Sequence, residues 1–513
     1  RGSNLLRGGF PGKGVRVVVS ACTPRTHEPL FQDTLREAGL NPYLFEMASI
    51  REHASWVHSD NPEAATEKAK DLTRMAVARA VFLEPLHKIS LGLSHDALVI
   101  GGGASGMTAA LTLADQGFKV YLVERSRELG GNLRRVKTTV QGGDAQAYLA
   151  SLIEQVKKQP LIEVLTGTTV VKSGGFVGNF RTVLKSMDDP TQRLIEHGVT
   201  IVATGAEETR GHEFLLGQDP RVLTLGDLEQ KLWKAPDEVA KANEVVFIQC
   251  VGRGKDKHNY CSRICCAVAL KEALQIKTLN PEAKVVVLFK DMQAYGFRED
   301  LFTEARRKGI IFVRYDDDHT PEATLENGKL VVTATEPALG EQLAFSPDLL
   351  VLSSAIVPAE GTADLAPVLK IPLSPDGFDL EAHIKLRPVD VPSEGLFLAG
   401  TAHYPKFADE AIAQAAAAAA RATTVLSRHE LKVGGSVAHV TPEKCTACLT
   451  CVRVCPYDVP FVNSEGAAQI EVAQCQGCGT CVAECPAKAI ELLHYKDVQI
   501  MAKTDALLGA VGK

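Results

Sequence analysis

Eight of the thirteen cysteines lie between positions 445 and 485, and their spacing restricts the fold there more than any other feature of the chain. Cys445, Cys448, Cys451 and Cys455-Pro456 read C-x2-C-x2-C-x3-C-P, and Cys475, Cys478, Cys481 and Cys485-Pro486 repeat it. Short loops at this spacing turn three thiolates toward a common centre. This is the two-cluster bacterial ferredoxin pattern, in which each fourth cysteine serves the other cluster. One [4Fe-4S] cube is expected on Cys445, Cys448, Cys451 and Cys485, the other on Cys475, Cys478, Cys481 and Cys455. The alternatives are two four-thiolate zinc sites or buried structural cysteines, and two full motifs with both prolines weigh against them. A cube passes single electrons, so the tail reads as a wire rather than a catalyst.

The remaining length, 513 residues at 45% apolar content, is enough for several cores. A net charge of −6, with acids and bases interspersed, disfavours nucleic acid as a partner. No apolar run reaches transmembrane length, and AIAQAAAAAARA from Ala411 reads as a close-packed helix. Twelve cysteines fall in three clusters and Cys22 stands alone, which in a large chain points to metal in a reducing, cytoplasmic setting. The chain opens RGSNLLRGGFPGKG without an initiator Met, as a processed form or a piece of a longer chain does.

A second fold-determining stretch is ALVIGGGASGMTAALTLADQGFKVYLVER from Ala97. A buried strand, a glycine turn, a small-residue helix and a second strand follow in the order of a dinucleotide fold. Gly101, Gly103 and Gly106 give G-x-G-x-x-G, with Ala104 and Ser105 at the helix start and Glu124, then Arg125, ending the next strand. An acid there can hold a ribose hydroxyl. An ordinary glycine-rich turn is the alternative, and the strand–helix–strand–Glu context disfavours it.

GGNLRR follows, bringing Gly131, Asn132 and Leu133. Val170 comes after it, and Ala203-Thr204-Gly205 and Gly400-Thr401 close two later apolar strands. This order resembles the flavoproteins of the thioredoxin reductase and glutathione reductase type, which implies FAD, with Glu124 on the adenosine ribose. His403 and Lys406 are candidates to lie beside the flavin ring, against the alternative of a solvated loop pair.

The third cysteine group sits at VVFIQCVGRGKDKHNYCSRICC. In the resembled flavoproteins this slot holds a nicotinamide domain, but only Gly252 and Gly254 of a fingerprint are present. Cys250, Cys261, Cys265 and Cys266 gather at a strand end and a helix start, with Cys261 and Cys265 on one helical face if the helix begins early. Three readings stand: a non-standard [4Fe-4S] site on all four thiolates, a redox dithiol of Cys261 with Cys265 or Cys266, or buried structural cysteines.

The expected fold is α/β: an FAD-binding dinucleotide domain with an inserted second α/β domain, plus a C-terminal 2[4Fe-4S] ferredoxin-like α+β domain. Residues 1–92 read as a partial α/β domain with a helical connector, and 93–210 with 346–428 as the FAD domain. Residues 211–345 form the inserted degenerate nucleotide-type block, and 437–513 the ferredoxin, reached through a linker at 427–436.

Taken together, ACTPRTHEPLFQDTLREAGLNPYLFEMA, CVGRGKDKHNYCSRICC, AYGFREDLFTEARRKGIIFVRYD, LFLAGTAHYPK and the tail resemble the flavin and iron–sulfur subunit of heterodisulfide reductase, its A-type subunit. The resemblance runs from about Val15 to the C-terminus. It implies a third cube on the four central cysteines and an electron-transferring, electron-bifurcating role in a multi-subunit, dimer-forming complex. The implied partners are the other subunits, a small iron–sulfur donor subunit (of a hydrogenase, formate dehydrogenase or NADH module), ferredoxin and a thiol/disulfide-reducing subunit. Rival readings are a stand-alone pyridine-nucleotide–disulfide oxidoreductase, and the same module in a quinone-interacting or ring-reducing complex. Two departures from the family stand out. Ala54 occupies the position before SWVH where relatives carry cysteine, and residues 136–200 hold no cysteine, so no further cluster is expected at either place.

Overall fold

The computed structural model describes residues 15–189, 191–254, 258–338 and 340–509, so the opening stretch 1–14 lies outside the described residues. The chain divides into two compact units, one of residues 93–428 and one in which the two ends, 1–92 and 429–513, come together.

The larger unit is built on two parallel five-stranded sheets. In the first, the strands run Leu396–Leu398, Val199–Val202, Ala97–Ile100, Val120–Val123 and Ile162–Leu165 across the sheet. These strands are short apolar runs with fully buried residues, as a parallel sheet covered on both faces requires. The helix Ala104–Ala114 packs on it beside Ala408–Leu426, which buries Ala411, Ala415, Ala418, Ala419 and Ala422. The alanine run is thus a close-packing face: side chains this small let two helices and the sheet approach closely.

The second sheet orders Val222–Thr224, Leu349–Ser354, Glu244–Val251, Lys284–Phe289 and Ile311–Arg314. It has its own cores on both faces. The two halves are joined by Ala206–Glu208 paired antiparallel with Ile356–Pro358. A buried Lys271–Glu229 ion pair of the second half also reaches the first, Glu229 accepting from the backbone N–H of Lys137 (2.7 Å) and Thr138 (3.0 Å) and Lys271 donating to the Thr138 carbonyl (3.2 Å).

In the smaller unit, the parallel pair Val17–Ala21 and Phe45–Ser49 is flanked by the helices Pro24–Glu37 and Pro62–Val81. Arg79, buried, bonds Glu46 and the His494 carbonyl, and Lys503 reaches Glu46 at 2.6 Å. Buried charges persist where they are paired, and this network holds the first and last segments together. The stretch expected as a linker contains the strand Leu431–Gly434, paired antiparallel with Lys88–Leu91. Leu431 and Val433 alternate with Lys432, a period-two pattern that the charged, glycine-containing composition obscures.

The cysteine motif of the tail recurs after thirty positions, from Cys445 to Cys475. Ala438–Val440 pairs with Ile490–Leu492, and Pro460–Val462 with Ala468–Ile470, so each copy lends a strand to the other. No helix among the described residues is long and apolar enough to cross a membrane.

Candidate functional site

Four loops meet at the carboxyl ends of adjacent strands of the first sheet, where an open α/β sheet binds its ligand. Gly101–Gly103 turns the chain into the helix that begins Ala104-Ser105-Gly106. Gly130 N–H donates to the Gly102 carbonyl at 2.8 Å, so the turn Gly131–Arg134 lies against the glycine loop. Ala203, with Thr204 and Gly205, is drawn in by its N–H to the Ile100 carbonyl (2.8 Å) and by Asn132 Nδ2 to the Ala206 carbonyl (2.5 Å). Gly400 and Thr401 open a short turn behind the strand Leu396–Leu398, and Ser105 Oγ reaches the Ala411 carbonyl at 3.4 Å.

Glu124 is buried one residue past its strand, one oxygen accepting from Gly102 N–H (2.6 Å) and the other from Ser126 N–H (2.7 Å). Each oxygen retains a lone pair for a further donor. Leu133 is buried in the first core, and Val170 lies on Thr168–Phe176, a strand whose first N–H is held by the Glu124 carbonyl (2.9 Å). Arg125 turns its guanidinium to the Glu360 carbonyl at 2.6 Å.

These residues fit a dinucleotide. A Cβ at Gly101 (φ +110°) would collide with the Ala203 carbonyl oxygen, so only glycine lets the two loops close. Gly103, by contrast, looks onto open space, as a backbone that must admit a pyrophosphate should. Thr204 Oγ1 is buried without a partner among the described residues, an orphan that a ligand would satisfy.

Lys406 and His403 come together in a buried polar group behind Gly400. Lys406 Nζ donates to the Gly400 carbonyl (2.7 Å) and to Gln414 Oε1 (2.6 Å), and Gln414 Nε2 meets His403 Nδ1 at 3.0 Å. His403 Nε2 stands 3.6 Å from Glu381. Burial pulls the Lys406 ammonium down to about 7, with Glu410 opposing, and pulls His403 down to about 4, helped by the Lys406 charge. The lysine can therefore gain or lose a proton near neutrality, and the histidine stays neutral. Nearby, Asp379 has one carboxyl oxygen buried and without a partner among the described residues, while its N–H donates to the Ala402 carbonyl at 3.1 Å. Burial raises this carboxyl to about 7. Gln414 and Asp379 escape a sequence reading: one lies within the alanine helix and the other within an irregular loop, and neither carries a motif.

The central cysteines assemble at the end of Glu244–Val251. The strand breaks register between Ile248 and Val251, and Cys250 takes a left-handed conformation (φ +60°), rare for a residue with a Cβ. The following helix is Cys265–Leu279, so Cys261 stands in the loop before it rather than on a shared helical face. The local turn is irregular, with Arg263 also left-handed (φ +58°). The four thiols feel one another. A hydrogen bond with Cys266, then burial, raises Cys265 well above the ordinary thiol range, with Cys266, Cys250 and Cys261 adding to the rise. The same hydrogen bond lowers Cys266 to about 7. Burial, then Cys266 and Cys261, raises Cys250, which Arg253 opposes. Gly252 follows this bulge, and residues 255–257 of the loop are outside the described set.

In the tail, two hollows are lined by thiols. One is walled by Cys445, Cys448, Cys451 and Cys485, the other by Cys455, Cys475, Cys478 and Cys481. Each set takes three thiols from one copy and one from the other. Backbone N–H groups point at the sulfurs, Ala468 to Cys445 (3.3 Å), Ala438 to Cys475 (3.5 Å) and Ala489 to Cys485 (3.3 Å). Thiolates with amide donors and apolar walls of alanine, valine and isoleucine suit an iron–sulfur cube, whose potential such bonds tune. Among the described residues, no three Cys, His, Asp or Glu side chains close on a single-ion position.

Comparison with known proteins agrees with this division. Residues 96–175 match the FAD dependent oxidoreductase family, and residues 438–486 match the 4Fe-4S dicluster domain. The A-type subunit of the H(2):CoB-CoM heterodisulfide,ferredoxin reductase of Methanothermobacter marburgensis is 36% identical over 96% of this chain and 88% of its own. The second A-type iron–sulfur subunit of the CoB–CoM heterodisulfide reductase of Methanopyrus kandleri is 37% identical over 88% of this chain and 83% of its own. Among solved structures, T. acidophilum thioredoxin reductase aligns with a TM-score of 0.46 at 15% identity, over 64% of this chain and 97% of that one.

Proposed function

The chain belongs to the family of A-type heterodisulfide reductase subunits, which are flavin and iron–sulfur oxidoreductases, and on that premise we propose how it moves electrons. It relays them between a donor module, ferredoxin and a thiol/disulfide-reducing partner, with bifurcation at the flavin. It works in the cytoplasm as one component of a larger assembly, fed through a small iron–sulfur donor subunit. FAD bound at the glycine loop exchanges electrons in pairs or singly, and cubes bound at the thiol groups exchange them one at a time.

In this reading the chain's residues bind and orient. Gly101, Gly103 and Gly106 with the Ala104-Ser105 helix start receive the pyrophosphate, and Glu124 takes the adenosine ribose. Asn132, Thr204 and Thr401 line the flavin side. Lys406 supplies a charge that comes and goes near neutral pH, and Gln414 fixes it against His403.

The observation that carries the proposal is the convergence of Cys250, Cys261, Cys265 and Cys266 where this half would otherwise cradle a nucleotide. A left-handed, non-glycine Cys250 at a strand bulge is a costly conformation of about 1–3 kcal/mol, and such outliers are kept where a site needs them. We assign a third cube to these four thiols. Iron and acid-labile sulfide counts on anaerobically purified protein test it: about twelve irons per FAD is expected, and about eight would remove the central cube.

One observation favours a second reading. The lowered Cys266 thiol suits the nucleophile of a redox dithiol with Cys261, which a stand-alone pyridine-nucleotide–disulfide oxidoreductase would use. That reading requires NAD(P)H to reduce the flavin of the isolated chain, whereas the relay reading requires partner subunits.

A further inference from the structure

Arg263 stands between two central cysteines, yet its side chain leads away from them. Its N–H lies 3.3 Å from Cys261 Sγ. Its guanidinium donates to the Tyr295 hydroxyl through Nε (3.0 Å) and Nη2 (2.7 Å), to Glu410 Oε1 at 2.8 Å, and to the Pro405 carbonyl at 3.5 Å. These last two contacts bracket Lys406. The Tyr404 ring is shared by two cations, Lys406 Nζ at 3.9 Å from its centroid and Arg263 Cζ at 5.6 Å. Glu410 in turn holds Phe407 N–H at 3.0 Å. A parallel staple runs beside it, with Arg298 3.3 Å from Asp409 and 3.7 Å above the Phe407 ring. Both first-turn acids of the helix Ala408–Leu426 are thus answered by arginines of the inserted half.

Fold stability does not account for this arrangement. The Arg263 and Glu410 side chains are 27% and 32% exposed, and a pair that exposed contributes little net energy. What a forked guanidinium adds is position, because its donors hold several acceptors in one fixed geometry. We propose that Arg263 is a positioning residue that fixes the four-cysteine loop against the Lys406 segment, setting the spacing and the charge between the central cluster and the flavin. The inference rests on the central-cube reading given above.

The test uses anaerobically purified holoprotein with Arg263→Gln, Arg263→Lys and Glu410→Gln. Arg263→Gln should keep wild-type iron and FAD. It should lower the flavin midpoint potential, because a cation is lost and Glu410 is left uncompensated. It should also slow electron exchange between flavin and central cluster by about ten- to a hundredfold, the scale of a small misplacement. Arg263→Lys, which restores charge without the fork, should return the potential while the exchange stays slow. A fully loaded Arg263→Gln with unchanged potential and rate overturns the proposal. If Arg263→Gln loses iron, Glu410→Gln breaks the same contact away from the cysteines; with an anion removed it should raise the flavin potential and still slow the exchange, and a fully loaded Glu410→Gln with unchanged potential and rate overturns the proposal. A wild-type count of eight irons would sink the central cube alone, and the flavin potential, which needs no cube, would still judge the link.

Discussion

In the tail, each group of four thiols comes from loops of two or three residues plus one cysteine of the twin copy. In the middle of the chain, four thiols come from a bulged strand end, an irregular loop and a helix start that are set by a sheet of their own. The tail core is little more than Ala438, Ala468, Ala489, Ile490 and the cysteines themselves. The central half buries Val245, Phe247, Val285, Val287 and Val351 whether or not its cysteines hold anything. One site is made by its ligand, then, and the other is carried by its fold.

The largest effect that would break this contrast is structural. Anaerobic chelation of iron should unfold 438–492, since a structural metal's binding energy is folding energy in a module this small. The block 244–315 should stay folded. Hydrogen exchange by mass spectrometry reads both at once, and equal loss of protection in the two regions would erase the distinction.

Next in size is loss of one cofactor. Cys265→Ser should bring iron from about twelve to about eight per FAD, with FAD retained and the tail spectra unchanged. In the tail, Cys485→Ser should damage the cube of the Cys445 copy, and Cys455→Ser that of the Cys475 copy. Spectra of the two reduced variants would differ, and identical spectra would dissolve the crossed assignment.

The same contrast explains what the sequence made readable. The tail's crossed thiol sets are legible because two full C-x2-C-x2-C-x3-C-P motifs carry the two-cluster ferredoxin pattern, in which each fourth cysteine serves the other copy. The glycine loop and Glu124 are equally legible, as strand, turn and helix are local. The central site is legible only as a crowd of cysteines. That Cys261 precedes the helix, that Cys250 sits at a bulge, and that Arg263 reaches Glu410 depend on contacts between residues far apart in the chain. The strand Leu431–Gly434 reads as a linker for the same reason: its partner, Lys88–Leu91, lies at the other end of the sequence. Gln414 and Asp379 gain their meaning from burial beside the turn Gly400–Ala402, which no local pattern encodes.

A smaller effect sharpens the tail's own symmetry. Gly477 (φ +64°) and Ala447 (φ +51°) occupy equivalent left-handed positions in the two copies. A Cβ on Gly477 would run into the Ser436 carbonyl oxygen, whereas Ala447 already carries one. Gly477→Ala should therefore cost about 1–3 kcal/mol of tail stability, and Ala447→Gly should change it by less than about 1 kcal/mol. Thermal denaturation of holoprotein followed at the cluster absorbance compares them, and equal effects would contradict the two different surroundings.

The finest test asks whether the flavin senses the Lys406 proton. Lys406 is buried and its ammonium is pulled down to about 7, while His403 is held near 4 and stays neutral above that. If FAD binds beside Lys406 as proposed, the lysine charged below about pH 7 should raise the flavin potential, and above about pH 7 the charge, and the increment, should be lost. Wild type minus Lys406→Met should thus give a positive flavin-potential difference near pH 6 that shrinks through about pH 7 and is gone near pH 9. His403→Gln should change this pH dependence little, since the imidazole does not titrate in that window. A pH-independent difference would mean that Lys406 keeps its proton throughout.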